Sequence, residues 1–144
     1  MLLPDVNILV CAFREDAQRH AEFREWLHER LDGMEPLGLS DVVLSGTLRI
    51  LTRPRVFLPP TPLRDALAFV TALRSRRNVV PVAPGARHWE TFTKLCTSAK
   101  AQGNHVPDAY LAALAIEQGC EWITADRGFA RFPGLRWRHP LRDG

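Results

Sequence analysis

The chain opens on a nearly unbroken apolar run, Leu2 to Phe13, interrupted only by Pro4, Asp5 and Asn7. Leu, Val and Ile at this density read as a strand buried on both faces, followed by the start of a helix. Beyond it the spacing predicts a helix capped by Asp16 and running to about Leu31, with Phe23, Trp26, Leu27 and Leu31 as its buried stripe and Gly33 as its stop. A short strand at Leu37 to Leu39 leads into Ser40, the N-cap of a second helix that Pro54 ends. Thr61-Pro62 opens a third helix, on which Leu63, Ala66, Leu67, Val70 and Leu73 keep helical spacing. Residues 78–82 read as a strand, and Trp89, Phe92, Leu95, Cys96 and Ala99 mark a fourth helix that Gly103 ends. Val106 to Gln118 is a fifth helix with Pro107 at its start and Gly119 past its end. A strand at 120–124, a helical turn carrying Phe129 and Phe132, and a last strand at 135–137 complete the pattern.

Strands alternating with helices predict an α/β fold: a central, mostly parallel sheet flanked by helices on both faces. The length suits a single domain over residues 1–144. In such folds ligands gather at the carboxyl ends of the strands.

Against this pattern Asp5 is anomalous. A carboxylate in so apolar a segment costs several kcal/mol unless a backbone cap, an arginine or a shared metal ion compensates it. Two further acids fall at the same sheet edge: Asp108 in the first turn of the fifth helix, and Asp126 just after the strand at 120–124. Singly, Asp108 complements a helix dipole and Asp126 forms a turn. Together with Asp5 they form a constellation with no basic neighbour in sequence except Arg127.

Asp5-Val6-Asn7, the helix from Val106 to Ala115 with Asp108 in its first turn, and Thr124-Ala125-Asp126-Arg127-Gly128-Phe129 resemble the signatures of PIN-domain ribonucleases, specifically VapC-type toxins of toxin–antitoxin systems. Residues 43–57 and 132–137 are similar to that family too, so the likeness spans nearly the whole chain. The resemblance implies cleavage of phosphodiester bonds in RNA with Mg²⁺ or Mn²⁺. Its metal ligands and catalytic residues would be Asp5 and Asp108, with Asp126 helping to hold the ion or position water, and Asn7 and Thr124 would orient the carboxylates. Hard divalent cations take oxygen ligands, and Mg²⁺ is typically held by one or two carboxylates plus waters at ~2.1 Å, so these residue types suffice. The resemblance further implies a structured RNA substrate such as tRNA or rRNA, a cognate VapB-like antitoxin, and a homodimer.

Two positions depart from the family's commonest pattern: Gly46 stands where many members carry a Glu on the second helix, and Gly128 where many have a second acid after Asp126. Asp41 and Ser45 are the candidates to replace the missing oxygen, against the simpler reading of Asp41 as a first-turn acid behind the Ser40 cap. The alternative reading is a catalytically weak or dead PIN-like module that binds RNA or a partner without turnover. A phosphatase with Asp5 as nucleophile is disfavoured, because such folds want a second acid where Asn7 stands.

Composition adds only a little. The chain carries 19 Lys and Arg against 16 Asp and Glu, and 17 of those cations are arginine, a bias compatible with phosphate recognition. Arg49, Arg53, Arg127 and Arg131 are the candidates for RNA contact; Arg55 lies beside the first pair, and Arg136, Arg138 and Arg142 beside the second. His105, three residues before Asp108, is a further neighbour of the site. Cys11, Cys96 and Cys120 show no Cys-x-x-Cys spacing and read as structural thiols. The N-terminal run lacks a basic flank, contains an acid and is shorter than the roughly 20 residues of a membrane span, so a cytoplasmic protein with no membrane partner is expected.

Overall fold

The structure, a computed structural model, describes residues 1–141, so Arg142 lies outside the described residues. Five short strands, β1 (Leu2–Pro4), β2 (Leu37–Leu39), β3 (Val79–Pro81), β4 (Glu121–Ile123) and β5 (Trp137–Arg138), form one sheet in the order β3-β2-β1-β4-β5. All four pairings are parallel, as the alternation of elements predicts. The chain steps outward from β1 through β2 to β3, then returns across the sheet to β4. Right-handed crossovers therefore place the intervening helices on opposite faces. On one side lie α1 (Val6–Phe13), α2 (His20–Asp32), α3 (Asp41–Leu51) and α4 (Leu63–Arg74), packed in series; on the other lie α5 (His88–Ser98) and α6 (His105–Glu117), packed on each other.

β1 ends earlier than the apolar run suggests. Asp5 leaves the strand with extended backbone, accepts the Val6 N–H and starts α1 at once, so Val6 and Asn7 are helical. The central row of the sheet is sealed by Leu3, Trp122 and Ile123, none of which reaches solvent. α6 runs through the core, and its small side chains Ala109, Ala112, Ala113 and Ala115 are completely buried, which lets the helix approach closely.

Three local expectations are corrected. Asp16 does not cap α2; it is held by the Arg14 guanidinium at 2.6 and 2.8 Å, and the helix starts after Arg19. Thr61 does not cap α4 either, because its hydroxyl is turned to Arg14 at 3.2 Å and the helix starts after Pro62. Trp89 is 68% exposed, and the buried position of that turn is His88, whose Nε2 bonds the Tyr110 carbonyl oxygen at 2.9 Å. A polar ring bonded across to α6 satisfies the interior where apolar spacing alone points one residue later. No helix among the described residues is long and apolar enough to cross a membrane.

Ser40 is buried and its Oγ accepts the Val43 N–H at 3.2 Å. Ser40→Ala should therefore cost about 1 kcal/mol of stability, read as a lower urea midpoint at unchanged slope.

Candidate active site

The reversal of strand order between β1 and β4 opens a crevice at their carboxyl ends. The register Pro4↔Ile123 puts the next residues, Asp5 and Thr124, side by side, with the Asp5 N–H donating to the Ile123 carbonyl oxygen at 2.8 Å. Asp5 is 7% exposed, and its carboxylate is fully engaged on the protein side. One oxygen accepts the Val6 N–H at 2.7 Å; the other accepts the Thr124 hydroxyl at 2.7 Å and the Asn7 amide at 3.2 Å. Thr124 is itself held, since its Oγ1 accepts from Asn7 Nδ2 at 3.2 Å and from the Asp126 N–H at 3.0 Å. Asn7 closes the network by accepting the Ala125 N–H at 3.2 Å.

Asp5, Asn7, Asp108 and Asp126 line one groove of about 490 Å³, whose walls include Gly46, Arg49, Phe57, Leu111 and Phe129. Asp108 projects from the first turn of α6, half-buried, whereas Asp126 is exposed and accepts the Gly128 N–H at 2.7 Å to start the 3-10 turn Arg127–Arg131. Burial pushes the Asp5 carboxyl up to about 6; the Thr124 hydroxyl and the Val6 N–H oppose this, and the charges of Asp108 and Asp126 raise it further. Asp108 is also raised, first by burial and then by Asp126, while His105 and Arg131 act in the other direction. Of the compensations open to Asp5, the cap is present; the charges acting on it are acids, not an arginine. Carboxylates that repel one another at a strand edge are a place for a cation.

These donors suit a hard divalent ion. Asp5 and Asp108 supply carboxylate oxygens, and water would complete a Mg²⁺ or Mn²⁺ shell. Among the described residues, no three histidine, cysteine or acidic side chains stand close enough to hold one ion together as they lie. Asp41 and Ser45 are exposed and do not line the groove; Asp41 sits in the first turn of α3 behind the Ser40 cap. Arg49 lines it and Arg53 does not. Arg127, Arg131 and His105 line a separate hollow beside it. The apolar walls from α3 and the loop after it, Val42, Ile50, Val56 and Phe57, were not legible as site residues, because a groove-facing valine carries the same sequence signal as a core one. A larger hollow of about 600 Å³ follows α2, but its acids Glu25, Glu29 and Asp32 are all exposed along one helix, with Glu29 and Asp32 paired to Arg30 and Arg76.

Residues 2–135 match the family model described as the PIN domain. The chain is 48% identical over 141 residues to ribonuclease VapC43 of Mycobacterium tuberculosis, covering 98% of this chain and 96% of that protein. The chain is a PIN-domain protein of the VapC type. Ribonuclease VapC25 of the same organism is 39% identical, with 97% and 99% of the two chains covered. Among solved structures the VapC-type fold recurs in VapBC2 from Rickettsia felis bound to a promoter DNA fragment, at TM-score 0.70 and 17% identity over 96% of this chain and 97% of that one. It recurs also in Mycobacterium tuberculosis VapC20, a sarcin-ricin loop cleaving toxin, at TM-score 0.69 and 17% identity over 94% and 99%.

The two positions where this VapC-type chain departs from the usual acids have local physical causes. A Cβ on Gly46 would stand 2.9 Å from Val6 Cγ2, so glycine lets α3 press onto α1 one residue from Asp5. A Cβ on Gly128 would meet Asp126 Oδ1 at 2.9 Å and the Arg131 guanidinium at 3.2 Å, so glycine leaves room for the carboxylate that starts the turn.

Gly46→Glu should consequently destabilise by about 1–3 kcal/mol through the clash with the stiff Val6 branch rather than restore a ligand; a denaturant titration reads this directly. The raised Asp5 carboxyl sets a pH dependence. With its folded value near 6 and its unfolded value near 3.8, the folded state holds more protons between those limits. Stability in EDTA should thus fall as pH rises from 4 to 6, by about 2 kcal/mol from this group. Asp108→Asn should raise the thermal midpoint in EDTA near pH 7, by removing one of the repelling charges.

Proposed function

We propose that the chain is a metal-dependent endoribonuclease, the toxin of a type II toxin–antitoxin pair, acting through Asp5, Asp108 and Asp126 in a single domain. The observation that carries this reading is the convergence of the three acids on one groove at the β1–β4 reversal, with Asp5 buried and locked by Thr124. Relatives that match along nearly their full length are named ribonucleases, which supports hydrolysis of RNA.

Asp5 and Asp108 would hold Mg²⁺ or Mn²⁺. Such an ion would supply acidity to the attacking water and positive charge to the scissile phosphate. The protein's own part is positional. The Thr124 hydroxyl and the Asn7 amide fix one Asp5 oxygen and occupy both of its lone pairs, and the Val6 N–H fixes the other, which keeps a further lone pair for the ion. Asp126, tied to Gly128 through one oxygen, has the other free to accept a proton from water or orient it. Arg49 brings a cation to the α3 wall, where an RNA phosphate would be met. Structured RNA, a homodimer and cytoplasmic action complete the reading. A VapB-like antitoxin is the partner it implies; solved neighbours described as VapBC complexes, including one bound to DNA from Salmonella typhimurium, support that partner.

The catalytically dead module is not favoured. Gly46 and Gly128 remove acids common in the family, but the acids that remain keep their shared groove and their hydrogen bonds.

Purified protein should cleave structured RNA with Mg²⁺ or Mn²⁺ and not in EDTA. Asp5→Ala and Asp108→Ala should each lower kcat/KM at least ~100-fold, the scale for losing a principal electrostatic group. Full activity in both variants would remove the site assignment. Ion at 100 times its Kd should stabilise the wild-type fold by about 2.7 kcal/mol, measurable as a raised thermal midpoint.

A further inference from the structure

Beside the acidic groove, across the 3-10 turn, lies a second hollow of about 410 Å³ lined by Ala99, Lys100, Gln102, His105, Arg127, Gly128 and Arg131. No acid lines it. Some exposed cations elsewhere are paired with acids: Arg19 with Glu22, Arg76 with Asp32, and the chain's other lysine, Lys94, with Glu90 at 2.9 Å. Among the described residues no acid pairs with Lys100, Arg127 or Arg131. Arg131 is aimed rather than loose, since its Nε donates to the Gly128 carbonyl oxygen at 2.7 Å and Gly128 leaves space for the guanidinium beside it.

Lys100 carries the second observation. It terminates α5 in the left-handed region, φ 51°, with the Ala101 N–H returning to the Cys96 carbonyl oxygen at 2.9 Å. Helices favour glycine at this closing position, because a Cβ there is strained. A lysine placed there against that preference points to a task for its ammonium group.

We propose that this hollow is a phosphate-binding subsite that seats a non-scissile phosphate of the RNA backbone, with Lys100 as its anchor and Arg127 and Arg131 as its flanks. The inference rests on the nuclease reading for the identity of the polymer, while the anion chemistry stands on the hollow itself. RNA is favoured over an acidic protein segment because the hollow shares Gly128's turn with Asp126, and His105 lies one helical turn before Asp108; a strand crossing the acids continues into it. Three cations beside repelling carboxylates also give the substrate a direction of entry: phosphates are drawn to one side of the site and reach the acids only when a cation offsets them.

The test is fluorescence anisotropy of a labelled 12-nucleotide RNA in EDTA, where no cleavage is expected, across 50–250 mM NaCl. Lys100→Gly should melt at or above the wild-type temperature because glycine suits that backbone. It should nonetheless bind RNA about 3- to 10-fold more weakly, with the slope of log Kd against log salt lower by ~0.7, one single-strand phosphate contact. Lys100→Gly with Arg127→Ala should lose about two such contacts, and Lys94→Ala none. An unchanged affinity and slope in Lys100→Gly would overturn the subsite, as would an equal loss in Lys94→Ala or a Lys100 dependence confined to an acidic peptide. A protein that binds RNA through Lys100 yet never cleaves it would overturn the nuclease reading and leave the subsite standing.

Discussion

Much of this molecule depends on one buried carboxylate. Asp5 sits where β1 turns into α1, and the parallel register with β4 brings the Thr124 hydroxyl to it at 2.7 Å. The Val6 N–H makes the same residue the cap of α1. One side chain therefore joins the start of a helix to the end of a neighbouring strand. These bonds leave the charge incompletely compensated, with the carboxyl still near 6, because burial outweighs two short hydrogen bonds and the other acids add repulsion. A fold that holds such a group ionised at neutral pH stores a demand for a cation, and that demand connects stability to function.

The strand-end rule made most of the site legible in the sequence. Asp108 and Asp126 are acids that the sequence pattern puts at the carboxyl edge of a parallel sheet, and the order β3-β2-β1-β4-β5 brings both to the reversal point beside Asp5. What stayed hidden was set by tertiary partners. Asp16 and Thr61 look like caps, but each is taken by Arg14, a residue that spacing does not connect to them. His88 rather than Trp89 is buried, because a hydrogen bond to the Tyr110 carbonyl oxygen makes an imidazole acceptable inside. Periodicity has no term for such bonds. Nor does it separate groove walls from core, so Val42 and Val56 read alike with Val43.

Gly46 and Gly128 illustrate how a missing acid acquires meaning from its surroundings. Read along the chain, both subtract a ligand. In space, Gly46 is the contact that seats α3 against Val6, and Gly128 is the clearance within which Asp126 and Arg131 arrange themselves. The charge distribution shifts accordingly: acids concentrate in the groove, cations in the hollow across the turn. An anionic polymer and a divalent cation are the pair of ligands that satisfies both at once.

The most direct test of this account is the stoichiometry of Mn²⁺ binding by electron paramagnetic resonance on the free protein, with Asp108→Asn as comparison. The account predicts one bound ion per chain in the wild type and at least tenfold weaker binding in the variant, whose folded circular dichroism spectrum should be unchanged. Equal Mn²⁺ affinity in the two proteins would contradict it, because the ion would then be held somewhere other than between Asp5 and Asp108.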